Sequence, residues 1–328
     1  PAPERARIAL AAPQRPPPAE KPPERERPST HVIDASDPDA PAVVGHINTT
    51  GKLLQTGDRL FVFEHERVVG YDVADPQNPI EVWSQPLNGT FVTARKANGT
   101  VYLVTESSVG PDTPCPIRPL GPDHAVACTD IYRPGTQISA DATYSAFSID
   151  ADAGTVADSV SFVGTAHNAV VYMSPDALYV TYTQRADRAE VVTAYVEQLD
   201  RAPQSLRDRI AELQSYDIST VSKLREMRAA VEGWLRSLPA EKRQAVQQEY
   251  REGLGAYLGE HKRDLTRTGV VRVDVTGDSL SVESTGVVPG TPLNQFALDH
   301  RDGTLRIATT IPRTGDGESE NDLYALDA

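Results

Sequence analysis

Two stretches of this chain repeat one phrase 38 residues apart. The first runs from His31 to Pro41 as HVIDASDPDAP, and the second from Val69 to Pro79 as VGYDVADPQNP. Adding 38 carries Asp34 to Asp72, Asp37 to Asp75, Pro41 to Pro79 and Gly51 to Gly89. A period of about 40 residues, made of short apolar runs and turn residues, is that of a β-propeller blade.

The pattern extends past the two copies. Asp34 precedes the apolar run Leu60-Phe61-Val62, Asp72 precedes Val101-Tyr102-Leu103-Val104, Asp150 precedes Leu178-Tyr179-Val180, and Asp274 precedes Leu305-Arg306-Ile307. The separations are 26, 29, 28 and 31 residues. Asp-Pro and Asn-Pro pairs start turns, and the alternation in Val270–Val275 reads as half-buried strand. The chain is therefore expected to be all-β, a partial β-propeller of about four blades.

Two insertions break the repeat. Residues 106–140 form a Pro- and Gly-rich loop, within residues 31–185 of blades. Residues 186–264 carry helical periodicity, in Leu206/Ile210/Leu213, Leu224/Met227/Val231/Leu235 and Val246/Tyr250/Leu254/Tyr257. Pro203 and Pro239 suit first turns, so three helices are expected, packed on one another and on the propeller as a structural lid or an interaction arm. Blade sequence resumes over 265–328. Residues 1–30, with Arg15-Pro16-Pro17-Pro18, have little to bury and read as a disordered tether.

The formal charge is −14, and residues 197–264 hold twelve bases and twelve acids, so the acidity belongs to the β-rich scaffold. A nucleic-acid partner is not expected, since phosphates call for a basic face. Arg outnumbers Lys 26 to 6, which fits either adaptation to concentrated salt or a GC-rich genome. Cys115 and Cys128 are the only cysteines, and with only His124 close by they read as a disulfide rather than a zinc site. Such a bond implies an oxidising compartment. Three sequons, at Asn48, Asn88 and Asn98, lie in expected turns where glycans could stand in solvent. No stretch is long enough to span a membrane as a helix. No signal peptide is visible, and a start at Pro1 rather than Met is compatible with the removal of a leader.

Several stretches resemble secreted archaeal and bacterial proteins whose β-propeller domain is distantly related to the tryptophan–aspartate repeat propellers. These are Gly70–Pro76, Cys128–Pro134, Tyr172–Val180, Leu293–Asp299 and Gly303–Thr310, and the resemblance covers residues 31–328. It implies the propeller but no catalytic activity or ligand. Members of that family continue with further blades, which makes the closing run Asp322–Asp327 look like the opening strand of another blade in a truncated chain.

Motifs for chemistry are sparse: there is no nucleophile elbow, no paired-histidine metal motif and no phosphate-cradling glycine loop. Asp150-Ala151-Asp152-Ala153-Gly154 resembles the start of a calcium loop but equally a hairpin turn, so no cofactor is expected beyond a calcium ion that such a loop could take. The acidic run Asp316–Asp322 could bind the same ion or simply be solvated. Asn294, Gln295 and Asp299 are the candidate ligand contacts, placed near the propeller axis or satisfying backbone groups at a turn. Function is expected to be that of an extracellular or cell-surface, non-enzymatic binding or scaffold module for an unknown protein or surface component. The alternative is a secreted hydrolase or lyase with carboxylates at the channel mouth.

Overall fold

The computed structural model describes residues 29–97, 99–110, 115–135, 138–166, 168–314 and 317–327. The tether expected over 1–30 lies almost wholly outside them. A hairpin of β1 (Thr30–Asp34) and β2 (Ala42–Ile47) comes first, then the first full blade, β3 (Lys52–Thr56), β4 (Arg59–Phe63), β5 (Arg67–Asp72) and β6 (Ile80–Pro86). The second blade has β7 (Thr90–Ala97), β8 (Thr100–Ser108), β10 (Ala142–Asp150) and β11 (Val156–Gly164), with a two-residue strand β9 (Ile131–Tyr132) added in parallel beside β11. The third has β12 (Val170–Met173), β13 (Ala177–Arg185), β14 (Thr266–Thr276) and β15 (Ser279–Pro289). A fourth sheet holds β16 (Leu298–Arg301), β17 (Thr304–Ile311) and β18 (Glu320–Asp327).

The 38-residue echo is the corner between a blade's third and fourth strands. Asp34 Oδ1 accepts the Ser36 N–H at 2.9 Å, and Asp72 Oδ1 accepts the Ala74 N–H at 2.9 Å. Asp37 and Asp75 each accept the N–H two residues on, at 3.1 and 3.0 Å. Each carboxylate thus closes an Asx turn, and these N–H bonds help hold Asp34, Asp72 and Asp75 below the ordinary carboxylate range, with the Asn78 amide the larger cause for Asp75. The echo of Gly51 in Gly89 is steric: a Cβ on Gly51 would sit 2.2 Å from the Phe63 carbonyl oxygen, and one on Gly89 3.1 Å from Thr105.

The second strands of the first three blades are largely apolar without alternation because both their faces are covered, whereas β17 alternates buried and exposed residues. Val101 and Leu103 point back into a cluster with Phe61 and Phe63 of blade one. Tyr102 and Val104 point forward into one with Leu178, Val180 and Tyr182 of blade three. Ala177 and Tyr179 then pack forward on Leu305 and Ile307. The core is therefore a series of inter-blade layers, with Tyr144 in the middle of one, stacked 5.9 Å from Phe162 and 6.2 Å from Tyr182.

Four expectations are corrected. The run Asp322–Asp327 belongs to β18, paired along its length with β17 as the third strand of the fourth sheet and not as the opening strand of another blade. The insertion has five helices rather than three: α1 (Arg188–Gln198), α2 (Gln204–Ser215), α3 (Thr220–Ser237), α4 (Ala240–Glu260) and the single turn α5 (Lys262–Leu265). Pro203 and Pro239 stand at N-caps, one residue before the positions expected. The helices also bury their apolar faces only among themselves, around Val196, Leu206, Ile210, Leu213, Met227 and Val231, with no blade residue in that cluster. What ties this arm to the blades is its base. Ala186 N–H bonds the Leu265 carbonyl at 3.0 Å, Lys262 pairs with Glu320, and Arg263 pairs with Glu320 and Asp322 of β18 at 2.8 and 2.9 Å.

Candidate binding site

Successive strands run antiparallel, so the second-to-third connections and the blade-to-blade connections share one end of the sheets. Both insertions are second-to-third connections, of blade two and blade three. They therefore rise from the same face. Two bonds mark this end of the sheets: Leu87 N–H to the Glu66 carbonyl at 2.7 Å, and Asn88 N–H to Pro119 of the disulfide loop at 2.8 Å. Cys115 and Cys128 are joined across that loop, with Cα atoms 5.4 Å apart, and its Leu120 is buried in the layer between blades one and two.

A cleft of about 840 Å³ opens on this face between blades one and two. Its apolar wall is Phe63, Leu87 and Phe91, with the two phenyl rings 4.8 Å apart. Its rim is polar: Lys52, His65, Glu66 and Asn88. Glu64 is committed to structure, accepting from the Thr49 hydroxyl and, two-pronged, from Arg67 Nε and Nη2 at 3.0 Å each. That carboxylate is the main cause of the raised Arg67 pKa. A hydrophobic wall with a few charged groups suits recognition of a mixed surface or extended ligand. The sequence flagged none of Lys52, Phe63 and Phe91; the only signal was that Lys52 and Thr90 each follow an echoed glycine.

The three proposed ligand contacts part company. Asn294 caps a one-turn helix, its Oδ1 accepting the Phe296 N–H at 2.9 Å. Asp299 lies on β16 and pairs with Arg306 of β17 at 3.1 Å. Gln295 reaches across the blades and accepts a hydrogen bond from Arg95 of β7. Sequon residues Asn48 and Asn88 are both exposed, each in a blade-to-blade connection on the cleft face, while Asn98 falls outside the described residues. Asp150 Oδ1 accepts the N–H groups of Asp152 and Ala153 at 2.9 and 2.7 Å, and Asp152 pairs with Arg59 at 3.0 Å. Of the acidic run near the C-terminus, Glu320 and Asp322 hold the arm's base, and Asp316 is outside the described residues. The described histidines do not converge: His31 faces His46, His65 rims the cleft, His124 is in the disulfide loop, His261 stacks on Tyr257 and His300 packs against Tyr179.

A β-propeller is the class these features define. The chain belongs to the family described as the β-propeller domain, whose model matches residues 54–328. It is 36% identical over 303 residues to an uncharacterised protein of Archaeoglobus fulgidus, covering 91% of this chain and 47% of that one. A Methanocaldococcus jannaschii protein, also uncharacterised, is 29% identical over 309 residues, covering 91% and 48%. The chain thus spans about half the length of the curated relatives it matches. Among solved structures it is similar to the N-terminal domain of Nup159, at 7% identity and a TM-score of 0.35 over 88% of this chain and 47% of that one. No helix is long and apolar enough to cross a membrane among the described residues.

Proposed function

We propose that the chain is a non-enzymatic binding or scaffold module, working outside the cell or at its surface, whose recognition face carries the cleft, the disulfide loop and the helical arm. The observation that carries this reading is the sharing of one face by both insertions and the cleft, because loops on a rigid scaffold are where binding surfaces are built. The Cys115–Cys128 pair and the exposed Asn48 and Asn88 sequons support the oxidising, extracellular setting. The partner is a protein or another component of the cell surface, offering an apolar contact for Phe91 and polar groups for the rim.

Binding of the purified protein to the solubilised envelope fraction of its source cells tests the reading. Lys52→Glu combined with His65→Glu is expected to remove that binding, while Lys96→Glu, near the opposite ends of the sheets, leaves it intact. Equal binding by all three proteins overturns the assignment of the face. Turnover of an envelope polymer that the cleft variant abolishes overturns the non-enzymatic part. Two free thiols in protein taken from its native compartment overturn the extracellular part.

A further inference from the structure

Arg95 differs from the other half-buried cations of the blades. Arg59 faces Asp72 and Asp152, Arg67 faces Glu64, and Arg272 faces Asp274 at 2.6 Å. Arg95 has no carboxylate partner among the described residues, in a chain with 46 acids to 32 bases. Its contacts are all neutral. Nη1 donates to the Thr93 hydroxyl and to the Ala94 carbonyl, the latter at 2.9 Å, and Nη2 donates to Gln295 Oε1. A guanidinium has five N–H donors. Three of these donors are engaged, and Nε, for which no partner is found among the described residues, stands beside Nη2 on the edge of the guanidinium that can grip both oxygens of a carboxylate. Burial lowers the Arg95 pKa, and no acidic group acts against it.

The location favours a ligand. β7 is the first strand of its blade, and the first strands of successive blades touch one another, β3 with β7 and β7 with β12, so they form the inner wall. Gln295 lies on the turn that leads into β16, the first strand of the fourth sheet, 200 residues from Arg95. Their bond runs along the inside of the blades. On that same turn Leu293 and Phe296 are 84% and 86% exposed, large apolar side chains with no place in any core cluster. We propose that Arg95 and Gln295 form an inner-wall site for a carboxylate joined to an apolar group, with the carboxylate on the free fork of Arg95 and the apolar part against the 293–296 turn. One cation among neutral groups matches a monoanion. A phosphate dianion would call for more positive charge, and the adjacent Lys96 is exposed and points to the other side of β7.

Benzoate supplies a carboxylate and an apolar ring in one probe. Its titration into the ¹⁵N-labelled protein is followed at the Arg95 Nε–H resonance, assigned by its loss in Arg95→Lys. The expected result is a saturable shift with benzoate, a smaller one with acetate, and none with inorganic phosphate or chloride at matched ionic strength. Arg95→Lys, which loses the two-pronged grip, should bind benzoate about tenfold more weakly, read by calorimetry. Gln295→Met, on an exposed turn, should weaken benzoate binding without moving the melting temperature, and serves if Arg95→Lys does not fold. A benzoate effect no larger than that of chloride, tighter binding of phosphate, or unchanged benzoate affinity in the variants overturns the site. No cleft residue takes part, so failure here leaves the proposed recognition face standing.

Discussion

The blades and the helical arm solve the same burial problem in opposite ways. A blade keeps no core to itself: Val101 and Leu103 are buried by the blade before, and Tyr102 and Val104 by the blade after. The arm keeps its whole core to itself, with Ile210, Leu213 and Met227 packed only on other helices. Damage to a layer between blades is therefore shared by two sheets, whereas damage inside the arm stops at its base. Cooperativity in this molecule should follow that division.

The sharpest test is Tyr144→Ala, which empties a layer between blades two and three and also removes hydroxyl bonds to Glu106 and to the Thr165 carbonyl. A loss of about 4 kcal/mol is expected, with hydrogen-exchange protection falling together in β8, β10 and β13. Ile210→Ala in the arm should cost about 3 kcal/mol locally, raising exchange in α1–α4 while β8 and β10 stay protected. If both variants shift one common transition, the division fails. Reducing Cys115–Cys128 should remove about 3 kcal/mol by freeing a loop of roughly 14 residues, seen as faster proteolysis at 115–128 with the arm unaffected.

The smallest expected effect is at the join between the two regions. Arg263 first, and then the Tyr324 hydroxyl, hold Asp322 down to about 2, while Lys262 chiefly lowers Glu320. Carboxylates depressed in the folded state contribute fully above their unfolded range near pH 4 and lose that contribution as pH falls toward 2. The protection of the Ala186 and Thr266 amides, taken relative to their intrinsic exchange at each pH, should thus fall between pH 4 and 2, and fall with salt at neutral pH. Invariance to both would show that the join is held by its backbone bond alone. Arg263→Ala should reproduce the low-pH behaviour at pH 7.

Much of the scaffold was legible because its signals are local. The Asx turns at Asp34 and Asp72 are written in neighbouring residues, and a strand buried on both faces, such as Val101–Val104, is an unbroken apolar run. Helix α1 escaped notice because Val191, Val192 and Thr193 are β-branched and blur the helical period, although Asp187 caps it through the Ala189 N–H at 2.8 Å. β18 was misassigned because its alternation fits a strand at any position in a sheet, and only pairing with β17 decides which. The Arg95–Gln295 contact was out of reach in principle, since nothing near either residue in sequence refers to the other. Gln295 was singled out on resemblance and Arg95 not at all.

β13 and β14 pair residue for residue from Ala177 opposite Asp274 to Arg185 opposite Thr266, so the whole arm leaves and returns through two adjacent backbones. To the sheet, the arm is a hairpin loop of unusual length. Loop closure grows only logarithmically, at about 0.6 kcal/mol per doubling, so a turn of a few residues or an unrelated domain of similar size could be exchanged there with little change in the strands beneath. The third blade is built as a socket, and lineages can change what is plugged into it without redesigning the propeller.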